Sequence, residues 1–149
     1  MPDKVIVDTS VLIALDKINL LEVLCKIYGE IILPKGVTLE FGNIDLNCYE
    51  SIKVDNPLIN VLKNDLNLGI GESEVIALAY ESKNRALIDD LRARKIALQL
   101  GIVFSGSIGV LLRAEKSGFI DSAYKKALEL RNKGFYISDG IIEDMKNGI

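Results

Sequence analysis

The chain has 149 residues, of which 49% are hydrophobic and 26% charged, with three prolines and twelve glycines. This balance indicates one compact domain with a sizeable core, and it argues against a disordered chain, a collagen or a repeat array. The sequence has no histidine, which excludes a Ser-His-Asp triad and a histidine-ligated zinc, and its net charge of −3 gives no overall basic field for nucleic acid.

Short apolar runs, which predict strands, alternate along the chain with amphipathic patterns, which predict helices. The expected strands are 4–8, 30–33, a short extended piece at 51–54 within a loop at 42–56, 86–89 and 101–106. The first expected helix carries Leu20, Leu24 and Ile27 on one face, and the second begins at Pro34. Helices are expected next at about 57–66 and at 71–83, followed by one that carries Ala93, Ile96, Ala97 and Leu100 on one face. The last three are expected at about 107–117, at about 121–133 and, as a short helix, from Ser138. This alternation predicts a three-layer α/β/α fold with a mainly parallel central sheet, built as a single domain over residues 1–149.

The cysteines and the apolar runs indicate the compartment. Cys25 and Cys48 stand in no metal-binding pattern, and we expect both to be reduced and buried by packing. The longest uninterrupted apolar run, from Val75 to Tyr80, is far shorter than the about 20 residues of a membrane-spanning helix. The N-terminus lacks the features of a signal peptide, so we expect a cytoplasmic protein.

Acidic residues follow two of the predicted strands. Asp8 closes the first strand, and Asp89 and Asp90 close the fourth. Functional sites of open α/β sheets collect at the carboxyl edge of the strands, so these acids are expected to meet there. Two more candidates are Glu40, late in the helix after the second strand, and Glu72, in the first turn of the helix at 71–83.

Helical spacing distinguishes Glu72 from its neighbour Glu74. Glu72 shares a stripe with Val75, Ile76 and Ala79, so it is expected to point inward while Glu74 does not. A carboxylate on a buried stripe is costly to keep ionised unless a positive charge lies beside it, and the stripe has no lysine or arginine before Lys83. A metal ion would supply that charge.

Carboxylates that converge without histidine or cysteine form a site of oxygen ligands only. Such a site suits Mg²⁺ or Mn²⁺ rather than zinc or copper, and ions of this kind activate water for attack on a phosphate. Each acid also has an ordinary structural role open to it. Asp8 and Asp90 could cap the helices that follow them, and Glu72 could interact with a helix dipole.

Four segments in order resemble a PIN domain: VIVDTSVLIAL (5–15), LPKGVTLEF (33–41), GESEVIALA (71–79) and LIDDLRARKIALQLGI (87–102). The resemblance continues more weakly through SGSIGVLLRAEKSGFI (105–120), which is similar to the closing segment of a prokaryotic PIN subfamily. It implies a magnesium- or manganese-dependent nuclease, usually a ribonuclease.

The resemblance also implies site residues. By position, the catalytic quartet of acids would be Asp8, Glu40, Glu72 and Asp90, with Asp8, Glu72 and Asp90 holding the metal. The family has Thr or Ser two positions before the fourth acid, where this chain has Ile88, so Asp89 could share or replace the role of Asp90. Ser10 matches a small polar residue that supports the first acid or its metal water.

Partners are implied in the same way. Many prokaryotic relatives are VapC-like toxins held inactive by a small antitoxin, and many form homodimers. For RNA, the basic residues Arg92, Arg94 and Lys95 follow the Asp pair and could contact phosphates, although a solvated helix face explains them as well. The aromatic residues are scattered and predict no stacking platform of the RNA-recognition type.

Two other functions remain open. A PIN-fold protein without turnover would act as a protein-binding module. An aspartyl-phosphate phosphotransferase or phosphatase would use a strand-end acid such as Asp8, but its usual second Asp, two residues on, is Ser10 here. The segment GIGES (69–73) lacks the lysine and the spacing of a phosphate-binding loop, which argues against nucleotide hydrolysis of that type.

Overall fold

The structure is a computed structural model that describes residues 4–148. Within that range the chain forms a five-stranded sheet in the order β3-β2-β1-β4-β5, and every pairing is parallel. The strands are β1 (Lys4–Val7), β2 (Glu30–Pro34), β3 (Tyr49–Ile52), β4 (Arg85–Leu87) and β5 (Phe104–Ser105). The predicted three-layer α/β/α fold with a parallel sheet is confirmed.

Helices connect the strands and cover the sheet, as parallel strands require. The helices are α1 (Thr9–Lys17), α2 (Val23–Ile27), α3 (Lys35–Phe41), α4 (Leu58–Asn60), α5 (Ile70–Ser82), α6 (Leu91–Gln99), α7 (Ser107–Lys116), α8 (Ala123–Asn132) and α9 (Asp139–Lys146). No helix within residues 4–148 is both long and apolar enough to cross a bilayer.

The central strands are buried on both faces. Val5, Ile6 and Val7 of β1 have no exposed surface, and Ile31 and Leu33 of β2 are equally buried. These strands therefore occur in the sequence as continuous apolar runs, which is why they could be predicted.

The less regular elements differ from the sequence expectations. The extended piece expected at 51–54 is β3, two residues earlier, and the strand expected at 101–106 contracts to the two residues of β5. The helix expected at about 57–66 is the short α4 followed by a π-helical turn over Val61–Asp65. Asn19 lies in the left-handed region at φ 56°, and the chain forms two helices, α1 and α2, on either side of it.

The two cysteines form a disulfide, so the expectation of reduced thiols is wrong for this structure. Cys25 lies on α2 and Cys48 lies just before β3, with their Cα atoms 5.7 Å apart. The cause is the register of the sheet. The N–H of Ile31 donates to the carbonyl of Cys48, which brings the start of β3 beside β2 and under α2.

The strand order reverses between β1 and β4. β1 has β2 on one side and β4 on the other, and the N–H of Asp8 donates to the carbonyl of Leu87 over 3.0 Å. The carboxyl ends of these two strands are therefore adjacent, at the point where doubly wound folds bind their ligands.

Candidate active site

Asp8 is the most buried acid of the site. It occupies the N-cap position of α1, but its side chain makes no capping hydrogen bond and only 3% of the residue is exposed. The hydroxyl of Ser10 donates to Asp8 Oδ2 over 3.3 Å. Burial, together with repulsion from Glu72 and more weakly from Glu40, raises the pKa of Asp8 from 3.8 to about 7.

Glu72 stands beside Asp8 in the first turn of α5 and is half-buried. Its Oε1 accepts a hydrogen bond from the N–H of Gly69 over 3.3 Å, which is the ordinary role of an acid at a helix start. Burial raises the pKa of Glu72, and repulsion from Asp90 and from Glu40 raises it further. Each acid of the predicted quartet therefore repels at least one of the others, and Glu72 interacts with all three.

A cleft of about 230 Å³ opens over three of these acids, Asp8, Glu40 and Glu72. Glu40 lies exposed near the end of α3, where it lines the cleft. A Cβ on Gly71 would lie 3.2 Å from Glu40 Oε1, so the missing side chain at Gly71 is what admits Glu40. The cleft is lined by Asp8, Thr9, Ser10, Ile13, Glu40, Gly69, Gly71 and Glu72.

The two consecutive aspartates after β4 have different surroundings. Asp89 accepts hydrogen bonds on both oxygens from Ser107, one from its N–H over 2.7 Å and one from its hydroxyl, so it holds the N-terminus of α7. Asp90 is the N-cap of α6, where its Oδ2 accepts from the N–H of Ala93 over 2.9 Å. Asp90 is exposed and interacts electrostatically with Glu72, which makes it the better placed of the two to join the quartet.

The expectation that Glu74 points away from the interior is wrong. Glu74 is half-buried, and its Oε1 accepts a hydrogen bond from the N–H of Gly36 over 2.9 Å. The reason is that α3 packs along α5 and covers the flank that carries Glu74. Glu74 thus holds the first turn of the helix that presents Glu40.

Thr9 belongs to the site although the sequence analysis assigned it no role there. Thr9 is buried and lines the cleft, and its Oγ1 has no hydrogen-bond partner among the described residues. A buried hydroxyl without a partner costs free energy unless something else in the cleft bonds to it. Its place directly after Asp8 was the available signal, but hydroxyls at that position are equally typical of a helix cap.

The donors around the cleft fit a hard divalent cation. The side-chain donors are carboxylates and hydroxyls only, and burial together with mutual repulsion raises the pKa values of Asp8 and Glu72. Across residues 4–148, no three His, Cys, Asp or Glu side chains stand close enough together to hold one ion.

The three basic residues predicted to contact RNA lie on α6. Arg92 donates to the carbonyl of Leu66 and lowers the pKa of Glu72 slightly, so it is near the acids. The guanidinium of Arg94 stacks 4.9 Å from the ring centre of Phe104, and Lys95 is exposed.

A parallel α/β sheet with repelling acids at its switch point defines a Rossmann-like domain suited to cation-dependent chemistry. A family model described as DUF3368: PIN domain matches residues 4–148. The chain therefore belongs to the PIN-domain family, which has a nuclease-type fold and whose members generally use divalent metals. No curated protein and no solved structure matches the chain significantly.

Proposed function

We propose that this protein is a nuclease that depends on Mg²⁺ or Mn²⁺ and hydrolyses phosphodiester bonds of RNA. One observation carries the proposal: a buried Asp8 carboxyl, with its pKa raised to about 7, faces Glu72 and Glu40 at the switch point of the sheet. Strongly perturbed acids grouped in a cleft are typical of catalytic sites.

Each acid has a role in the proposal. Asp8, Glu72 and Asp90 would hold the cation, and Ser10 would orient Asp8 through its hydrogen bond. When bound, the cation supplies activation of water and neutralises charge on the phosphate. Glu40, exposed where it lines the cleft, would accept a proton from water that enters with the substrate. No histidine exists to do so.

The test is cleavage of a mixed RNA pool by the purified protein in Mg²⁺, in Mn²⁺ and in EDTA, alongside Asp8→Asn. Asp16→Asn is the matched control, because Asp16 is an exposed acid at the other end of α1. We expect metal-dependent cutting by the wild type and by Asp16→Asn, and a loss of at least about a hundredfold in Asp8→Asn. Equal cutting by Asp8→Asn would contradict the proposal, and no cutting by any of the three would favour a protein-binding module without turnover.

Apolar side chains around the cleft favour a protein partner in addition to RNA. Leu39, next to Glu40, is 77% exposed, and Ile13 and Ile70 are also exposed beside the cleft. We infer that a small antitoxin, which the resemblance to VapC-like toxins implies, would cover this apolar rim and block access to the acids. Leu39→Asp should then weaken inhibition by such a protein without changing cleavage of RNA.

The homodimer stays a prediction, and analytical ultracentrifugation of the full chain tests it.

A further inference from the structure

A second groove is lined by the residues on either side of Asp90 in the sequence, and Asp90 itself interacts electrostatically with Glu72 of the acidic cleft. The groove has a volume of about 160 Å³, and Asp89 and Leu91, the two sequence neighbours of Asp90, line it. We call it the side groove. It is lined by Asp89, Leu91, Arg94, Ser107, Ile108, Leu130, Phe135, Tyr136 and Ile137.

The side groove is apolar inside and aromatic at its rim. Leu130 and Ile137 are buried and form its floor, whereas Leu91 is 70% exposed and Tyr136 is 88% exposed. An exposed phenol ring of this kind contributes little to the stability of the fold, so its position is free to serve binding. The guanidinium of Arg94 is held in the same groove by its stacking on Phe104, and no ion pair between described residues involves it.

We propose that the side groove binds one unpaired base of a single-stranded RNA, next to the phosphate that is cleaved. A flat aromatic ring and a flat guanidinium both stack on any nucleobase, and the volume suits one planar ring rather than the apolar face of a helix. Bases in a duplex are stacked on each other and cannot enter a groove in this way. Arg92 and Lys95, on the same helix as Arg94, supply positive charge for the backbone of the strand.

The inference rests on the proposed nuclease function, because it places the base beside the acids that would cut the chain. It extends that function by assigning the side groove to a base of the substrate and Tyr136 to the positioning of that base. The assignment does not depend on the spacing of aromatics along the sequence, since Tyr136 reaches the groove from the loop between α8 and α9.

Tryptophan fluorescence tests the inference directly, because the chain has no tryptophan of its own. The substitution Tyr136→Trp places the only indole of the protein in the side groove. Tyr80→Trp is the matched control, since Tyr80 is 52% exposed but lines a different pocket, with Gly101 and Val103, before the start of β5. Both variants carry Asp8→Asn, so that the RNA stays intact, and are titrated in Mg²⁺.

We expect single-stranded RNA to quench the indole emission of the Tyr136→Trp variant but not that of the Tyr80→Trp variant, and an abasic oligomer of the same length to quench neither. A duplex of the same sequence should bind without quenching. Equal quenching of Tyr136→Trp by the abasic oligomer would overturn the inference. A change of its emission with protein concentration alone would do so too, because it would assign the groove to a second copy of the chain.

Cleavage kinetics separate this inference from the proposed function. Tyr136→Ala, in the protein with Asp8 intact, should raise KM for single-stranded RNA by roughly fivefold to a hundredfold, leave kcat nearly unchanged and be rescued by Tyr136→Phe. Normal KM in Tyr136→Ala would refute the base site while the nuclease stands. Quenching of the Tyr136→Trp emission by RNA that the wild type does not cut would refute the nuclease while the base site stands.

Discussion

At the scale of single residues, the surroundings of Asp8 disfavour the ionised form that a cation site would need. The fold buries this carboxyl among other carboxyls, which favours its protonated form and raises its pKa to about 7. Asp8 accepts one long side-chain hydrogen bond, from Ser10, whereas Asp89 accepts hydrogen bonds on both oxygens from Ser107. The arrangement therefore reduces the stability of the free protein at neutral pH, and a bound cation would reverse that loss.

These surroundings predict how stability depends on pH. Between pH 3.8 and about 7 the folded protein holds a proton on Asp8 that the unfolded chain has lost, so stability falls as pH rises through this window. The loss in the free energy of unfolding is on the order of 4 kcal/mol once Asp8 is ionised in both the folded and the unfolded protein. In buffer without divalent metal, Asp8→Asn should therefore be more stable than the wild type at about pH 8 and similar to it at about pH 4, as measured by urea unfolding.

The control for this prediction is Asp16→Asn, which alters an exposed acid on the same helix and should follow the wild type at both pH values. Added Mg²⁺ should stabilise the wild type but not Asp8→Asn. Parallel stability curves for the wild type and Asp8→Asn across this range would show that Asp8 is not held as the structure indicates.

The sequence was informative where a residue's role follows from its place on a strand. Asp8 comes directly after β1 and Asp90 lies three residues after the end of β4, both strands are recognisable as apolar runs, and parallel strands bring such residues to one edge. It was less informative where the role depends on packing between helices. Glu74 was misassigned because helical spacing gives the direction of a side chain but not which neighbouring helix covers it.

At the scale of elements, the starts of α6 and α7 explain why two consecutive aspartates occur after β4. Asp89 holds α7 and Asp90 holds α6, so both acids have a capping role, but only Asp90 stands near Glu72. The sequence alone does not show which of the two is the fourth acid, because both follow the same strand. The choice depends on where α7 begins relative to β4, which only the folded chain shows.

The different surroundings of Asp89 and Asp90 predict that only one of two matched substitutions lowers cation affinity. Asp90→Asn keeps an acceptor for the N–H of Ala93 but removes the charge beside Glu72, so cation affinity should fall about tenfold or more while stability changes by less than about 1 kcal/mol. Asp89→Asn should leave cation affinity within about twofold. Calorimetric titration with Mn²⁺ gives the affinities, and thermal unfolding gives the stabilities. The reverse order of affinities would assign the fourth acid to Asp89.

At the scale of the whole molecule, the disulfide fastens the outer strand of the sheet. Cys25 and Cys48 are separated by 23 positions in the sequence, and their bond ties α2 to the start of β3. Neither cysteine lines the acidic cleft or the side groove. The bond was not predictable from spacing, because its geometry follows from the register between β2 and β3.

Reduction of this disulfide should destabilise the fold but spare the site. Closing a loop of this length restricts the unfolded chain by about 3 kcal/mol, so reduction should lower the free energy of unfolding by roughly that amount. Guanidinium unfolding with and without a reducing agent measures the change, and Cys25→Ser should be insensitive to the reducing agent. Cation affinity of the reduced protein should stay within about twofold of the oxidised form. A loss of cation binding on reduction would mean that β3 supports the site more than its contacts indicate.

The proposed function requires that the repelling acids around Asp8 form a site for a divalent cation. Calorimetric titration of Mg²⁺ or Mn²⁺ into the protein at about pH 7, repeated in buffers of different ionisation enthalpy, tests it most directly, because a cation that displaces the proton of Asp8 releases it to the buffer. We predict binding with proton release by the wild type, and binding at least about tenfold weaker, with less proton release, by Asp8→Asn. Absence of binding by the wild type, or equal affinity and proton release in Asp8→Asn, would contradict the proposal.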